Sequence, residues 1–212
     1  MKKTSKALLL GLCAVLLVAA SILGTMAYLT DNAEVANSFT VGKVRITLDE
    51  ALVGNDGKEL MGKDAKRVNG NTYKLVPGVT YDKDPTIYVN EESEDCYLFV
   101  TVEDGIKALE DENNTVEAQM IADGKWKLVK DNVYVYTNGK NNPERVTATA
   151  GKNGIEVFEH FAVKNTATEQ DLIANKDNKI IVTAYAVQAD GWDTNSALEI
   201  WNNAGFKTTN NN

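Results

Sequence analysis

The sequence predicts a mostly β, antiparallel β-sandwich with one or two short helices, and three observations carry that prediction. Apolar residues alternate with period two in segment after segment. Those segments are rich in Val, Ile, Thr and Tyr, side chains that suit a pleated surface. Turn pairs separate them, at Pro77-Gly78, Asp104-Gly105, Asp123-Gly124, Asn138-Gly139 and Asn153-Gly154.

Taken in order, the chain begins with a segment outside the sandwich. MKKTSK carries three lysines and no acid, and Ala7 to Leu23 is a run of seventeen residues without a charge. Thr25 and Ala27 supply small residues at −3 and −1, so residues 1–27 have the parts of a secretory signal peptide cut between Ala27 and Tyr28. The alternative is an uncleaved anchor, because adding Met26 to Leu29 brings the run to the ~20 residues that span a bilayer. The small residues favour cleavage. The lysines place the remainder outside the cytoplasm in both cases. A lipoprotein reading of Cys13 is disfavoured by Leu12 before it and by its place inside the apolar run.

The next segment changes parity. In SFTVGKVRITL, Phe39 and Val41 share one parity while Val44, Ile46 and Leu48 share the other. A continuous strand would turn half of these to solvent, so a bulge or a break falls near Gly42-Lys43. Either residues 28–43 form an arm leading into a core strand, or one bulged strand runs through.

From there the expected strands are 44–48, 86–89, 96–102, 133–136, 155–158 and 179–187, and WKLVKDNVYVY reads as a hairpin about Lys130–Asn132. CYLFVTV and IIVTAYAV are apolar on both faces, as central strands are. TEQDLIAN (168–175) suits a short helix. So does DTNSALEIWNNAG, with Asp193 or Thr194 as a cap, Ser196 and Glu199 at capping-box spacing, and Gly205 as a stop. Ala197, Leu198 and Trp201 would form its apolar face. The polar stretches 49–72 and 104–124 read as long surface loops, and 207–212 as a frayed tail. One domain covers 44–206.

The chemistry of the chain is sparse. Cutting after Ala27 moves the formal charge from −8 to −11 over 185 residues, since three lysines and no acid are removed. Such a chain is poorly suited to nucleic acid or anionic membranes. Cys96 is then the sole cysteine; intermolecular pairing is one use for it, but its place at the head of an apolar strand favours an inert core thiol. The sole histidine, His160, is read as a hydrogen-bonded residue at a strand end, since zinc sites and nucleophilic catalysis need companions that the sequence lacks. The acidic runs 90–95 and 110–113 could bind calcium weakly, but solvated loops are the default. Trp126, Trp192 and Trp201 suit the core better than a carbohydrate platform. No catalytic residue, metal ligand or cofactor site is assigned.

Beyond these readings, GTMAYLTD followed by NSFTVGKVRITLDE resembles the N-terminus of the TasA/camelysin family, exported by Gram-positive bacteria and processed by a SipW-type signal peptidase. Gly24, Thr25, Ala27, Tyr28, Leu29 and Asp31 stand at its junction motif, and Asn37, Phe39, Gly42, Val44, Ile46 and Leu48 at the phrase that follows. LVPGVTYDKDPTIYV and VTAYAVQADGWDT are similar to further family stretches. The resemblance implies a jelly-roll-like sandwich and a secreted subunit of extracellular biofilm matrix fibres. Its partners would be other copies of itself, head to tail, and an accessory matrix protein, with no membrane attachment after cleavage. The mature arm of one subunit would add as a strand to the next, with Tyr28, Leu29, Val35, Phe39 and Val41 as anchors. The alternatives are a monomeric cell-surface binding module and a camelysin-like metalloprotease, the latter disfavoured by the single histidine.

Overall fold

The computed structural model describes residues 13, 30–33, 44–122, 124–192 and 194–206. Eleven strands lie in that range: β1 (Thr30–Ala33), β2 (Ile46–Ala51), β3 (Arg67–Val68), β4 (Thr80–Asp82), β5 (Thr86–Val89), β6 (Cys96–Asp104), β7 (Trp126–Lys130), β8 (Val133–Tyr136), β9 (Ile155–Glu156), β10 (His160–Ala162) and β11 (Ile180–Gln188). Helices α1 (Val116–Ala122), α2 (Ala148–Gly151), α3 (Glu169–Ala174) and α4 (Ala197–Asn203) accompany them. The fold is mostly β, and every strand pairing is antiparallel.

The five-stranded sheet runs β1-β11-β6-β8-β7, the four-stranded sheet β3-β2-β5-β9, and β10 pairs with β4. Nine residues of β6 pair with nine of β11, from Cys96 opposite Gln188 to Asp104 opposite Ile180. Strand parity then sorts the side chains. Leu98, Val100, Ala184 and Ala186 face a core shared with Ile46, Leu48, Ile87 and Val89 of the other sheet. Tyr97, Phe99, Tyr185 and Val187 face the opposite way, against Ile200, Trp201 and Ala204 of α4. The centre of this sheet, Cys96–Val102 of β6 and Ala184–Val187 of β11, is therefore buried on both faces, which is why these stretches lack polar alternation.

α4 owes its position to its cap. Ser196 Oγ accepts from the Glu199 N–H, and Glu199 Oε2 accepts from the Ser196 N–H at 2.8 Å, a capping box. The cap is Ser196 rather than Thr194; Asp193 lies outside the described residues. Ile200, Trp201 and Ala204, with Ala197, form the buried stripe at i, i+3, i+4 and i+7 spacing, and Leu198 is exposed because it lies about 100° round the helix from that stripe. Gly205 follows with φ +71°, the left-handed backbone that ends helices cheaply only at glycine. α3 carries a second capping box, Thr168 with Asp171.

Other boundaries shift. β2 begins at Ile46 and continues to Ala51, and the 155–158 strand shrinks to β9, although Val157 and Phe158 stay buried. The hairpin closes on Asp131-Asn132, with φ +44° at Asp131 and a bulge between Leu128 and Lys130. The polar stretches are not plain loops: 49–72 contains β3 and a 3-10 turn at Gly62–Asp64, and 104–124 contains α1, whose Val116 and Met120 are buried. Among the described residues of 44–206, four α-helices stand where one or two were expected. α1 and α2 were hidden because each has only one or two buried positions, too few to set up a periodicity.

Glu110 explains how 104–122 is fixed. It is 2 % exposed; Oε1 accepts the Val116 N–H at 3.2 Å, and Oε2 has no donor. Burial raises its carboxyl to about 8, and the neighbouring Asp104 carboxylate pushes in the same direction. A proton on Glu110 supplies the missing donor, toward Asp104. The folded state then holds a proton that the unfolded chain has released, so stability falls as pH rises from the ordinary value of 4.5 to about 8 and levels off above it. Urea melts between pH 5 and 9 should show that decline, with a slope of at most about 1.4 kcal/mol per pH unit, and Glu110→Gln should flatten it.

Candidate assembly site

The described part of the N-terminal arm, β1, is an edge strand. Thr30 to Ala33 pair with Val187 to Ala184, so β1 covers only the second half of β11 on that side. Among the described residues no strand pairs with Ile180–Thr183 on the same edge. Ala27, Tyr28, Leu29, Val35, Phe39 and Val41, the cleavage and anchor residues, lie outside the described residues, as do the parity break, the apolar run 7–23 apart from Cys13, and the tail. No helix among the described residues is long and apolar enough to cross a membrane.

Beside the uncovered half of β11 is a groove of about 1050 Å³, between the end of β2 and the start of β11. α3 forms one wall through Leu172 and Ile173, and β11 another through Ile180–Val182. Ile173 is 58 % and Ile181 45 % exposed, which leaves an apolar rim open to solvent. Behind it Tyr73, Tyr81 and Phe161 pack together, with Tyr81 stacked on Phe161 at 5.0 Å between ring centres.

The polar wall of the groove was not foreseen. Glu50, which is buried, pairs with Lys83 and accepts from Asn71 Nδ2 at 2.9 Å. Outside it, Arg67 binds Asp49 at 2.7 Å and also Asp84, with its guanidinium 5.9 Å from the Tyr88 ring centre. Burial opposes the charge on Arg67, but its bonds to Asp49 and Asp84 outweigh that, so its pKa is raised. Burial chiefly, and then the negative charge of Glu50, raises the Tyr73 phenol, whose hydroxyl donates to the Asp82 carbonyl. The sequence did contain a signal: Glu50 continues the inward parity of Ile46 and Leu48, and Lys83 that of Tyr81.

The remaining candidates are held structurally. His160 opens β10, and its Nε2 meets the side-chain amide of Asn114. Glu92 of the first acidic run pairs with Arg45. Trp126 and Trp201 are buried and Trp192 packs against the α4 side of the central sheet. Among the described residues no group of three or more His, Cys, Asp or Glu is arranged to hold a metal. Comparisons with protein-family models, curated proteins and solved structures find no match.

Cys96 has no solvent exposure, and burial pushes its thiol up to about 12. In the form beginning at Tyr28, Ellman's reagent at pH 8 should therefore find no reactive thiol until denaturant is added, and one afterwards. Prompt native labelling would refute the inert-thiol assignment.

Proposed function

We propose that this protein is a secreted structural subunit of extracellular matrix fibres, assembled by addition of the N-terminal strand of one copy to the sheet of the next. The observation that carries the reading is the position of β1: it follows the processing junction directly and sits at the outer edge of β11. The ladder holding an edge strand consists of backbone hydrogen bonds, and these form equally well within one chain or between two. Exchange of such a strand between copies needs no new surface, and a head-to-tail contact that does not close on itself gives a filament. Ile180–Thr183 and the groove beside them offer an incoming strand further edge and apolar contact.

Cleavage by a SipW-type peptidase, a jelly-roll topology and an accessory matrix partner belong to the same proposal and come from the motifs at 24–48. The groove with its exposed Ile173 and Ile181 also favours a second reading, a monomeric module that binds a ligand there. For the camelysin-like peptidase reading, the sole histidine is engaged with Asn114.

Light scattering and electron microscopy on two forms, one starting at Tyr28 and one at Lys43, separate the readings. The longer form should elongate into filaments with rising concentration and the shorter should stay small. A synthetic peptide of residues 28–42 should stop growth by occupying the edge. Two monomeric forms, unchanged by the peptide, would overturn strand exchange and leave the binding module.

A further inference from the structure

Three side chains at the groove wall have an arrangement that a structural ion pair does not require. Glu50 holds two partners, one on each carboxylate oxygen: Oε2 faces Lys83 Nζ, and Oε1 accepts from Asn71 Nδ2 at 2.9 Å. The Glu50 side chain is 5 % exposed and that of Lys83 12 %. Asn71 is fixed in orientation, because its Oδ1 accepts the Val53 N–H at 3.0 Å and its Nδ2 also donates to the Ala51 carbonyl at 2.8 Å. A primary amine, a carboxamide and a carboxylate that touches both are thus gathered in a site largely shielded from water. The carboxamide oxygen already receives a backbone donor of the kind that stabilises a developing oxyanion.

We propose that Lys83 and Asn71 join spontaneously in an intramolecular isopeptide bond, with Glu50 carrying the protons. Glu50 takes a proton from the Lys83 ammonium, and the lone pair so exposed on Nζ attacks Asn71 Cγ. The carbonyl electrons move onto Oδ1, against the Val53 N–H. The new Nζ–Cγ bond forms, Nζ sheds a proton, and Nδ2 gains one through Glu50. The Cγ–Nδ2 bond then breaks and ammonia leaves. Amine plus amide gives substituted amide plus ammonia, so no oxidant, nucleotide or metal is consumed. Holding both reactants on one carboxylate makes the step unimolecular, which is where such a reaction gains most of its rate. The product ties the loop at Asn71 to the end of β4 beside the groove, and it does so whether or not the protein assembles.

Intact-mass spectrometry with tryptic mapping of the purified full chain tests this. The expected mass is one ammonia below that of the sequence. Residues 68–74 should remain joined to the peptide carrying Lys83, uncut after that lysine. Lys83→Arg should have its full mass, and Glu50→Gln should cross-link at least about 100-fold more slowly, the usual scale of lost acid–base catalysis. A chain of full mass with cleavage after Lys83 would overturn the proposal, and that result does not depend on any variant folding. An ammonia loss mapped to a succinimide at Asn69, Asn138 or Asn153, each followed by glycine, would overturn it too. Cross-linking of Glu50→Gln at the native rate would remove Glu50 from the mechanism.

Discussion

The ladder between β6 and β11 is the contact on which the remaining architecture depends. Two nine-residue strands pair along their whole length, and both faces of the pair are apolar. Such a pair cannot stay at a surface; each face must be covered by something else. One face takes the four-stranded sheet, through Ile46, Leu48, Ile87 and Val89, and the other takes α4. The helix is short, so it relies on aromatic contacts. Trp201 meets Phe99 at 5.5 Å and Tyr185 at 5.1 Å between ring centres, and Phe206 closes the cluster. A seven-residue helix would be marginal alone. Here the sheet holds the helix, and the helix keeps the sheet's second face dry.

A sheet whose centre is so committed has its freedom at its edges. β7 closes one edge through a bulged hairpin, and bulges discourage further pairing. The other edge is covered by a four-residue strand that reaches half of β11. The asymmetry has a physical consequence. The central strands β6 and β11 are paired over nine residues, whereas β1 is paired on one side only, over Thr30–Ala33. A short edge strand of this kind is the element on which the proposed strand exchange would act.

Much of this was legible in the sequence, and the part that was not has a common cause. β5 and β8 fall where period-two alternation put them, as do both strands of the hairpin between Trp126 and Tyr136, and the two-faced apolar character of CYLFVTV and IIVTAYAV marked the centre. The capping box at Ser196 was readable because a cap is a local chemical pattern. What escaped was structure fixed from a distance. β3 exists because Arg67 and Val68 find Ala51 and Glu50, and α1 is anchored by Glu110 and Met120, inside stretches whose composition looks like loop. Leu198 was misplaced for a simpler reason. Ile200 was left out of the expected face, and the stripe it makes with Ala197, Trp201 and Ala204 leaves Leu198 outside.

The polar groove wall falls between these cases. Glu50 and Lys83 obey strand parity and break the rule that inward positions are apolar, so parity could have located them, though not joined them. Burial of an ion pair rarely adds net stability, since the desolvation of two charges roughly cancels their attraction. A well-packed apolar pair at these positions would hold β2 and the end of β4 together at least as well. Conflicts between local rules and the fold concentrate where a protein does something besides fold. Glu110 is such a conflict too, but one proton resolves it, and its neighbours are a backbone N–H and a second carboxylate. Around Glu50 the neighbours are an amine and an amide with an oriented carbonyl, groups that can react with each other. What the arrangement supplies is proximity: one carboxylate holds the amine and the amide side by side, so a reaction between them would be intramolecular.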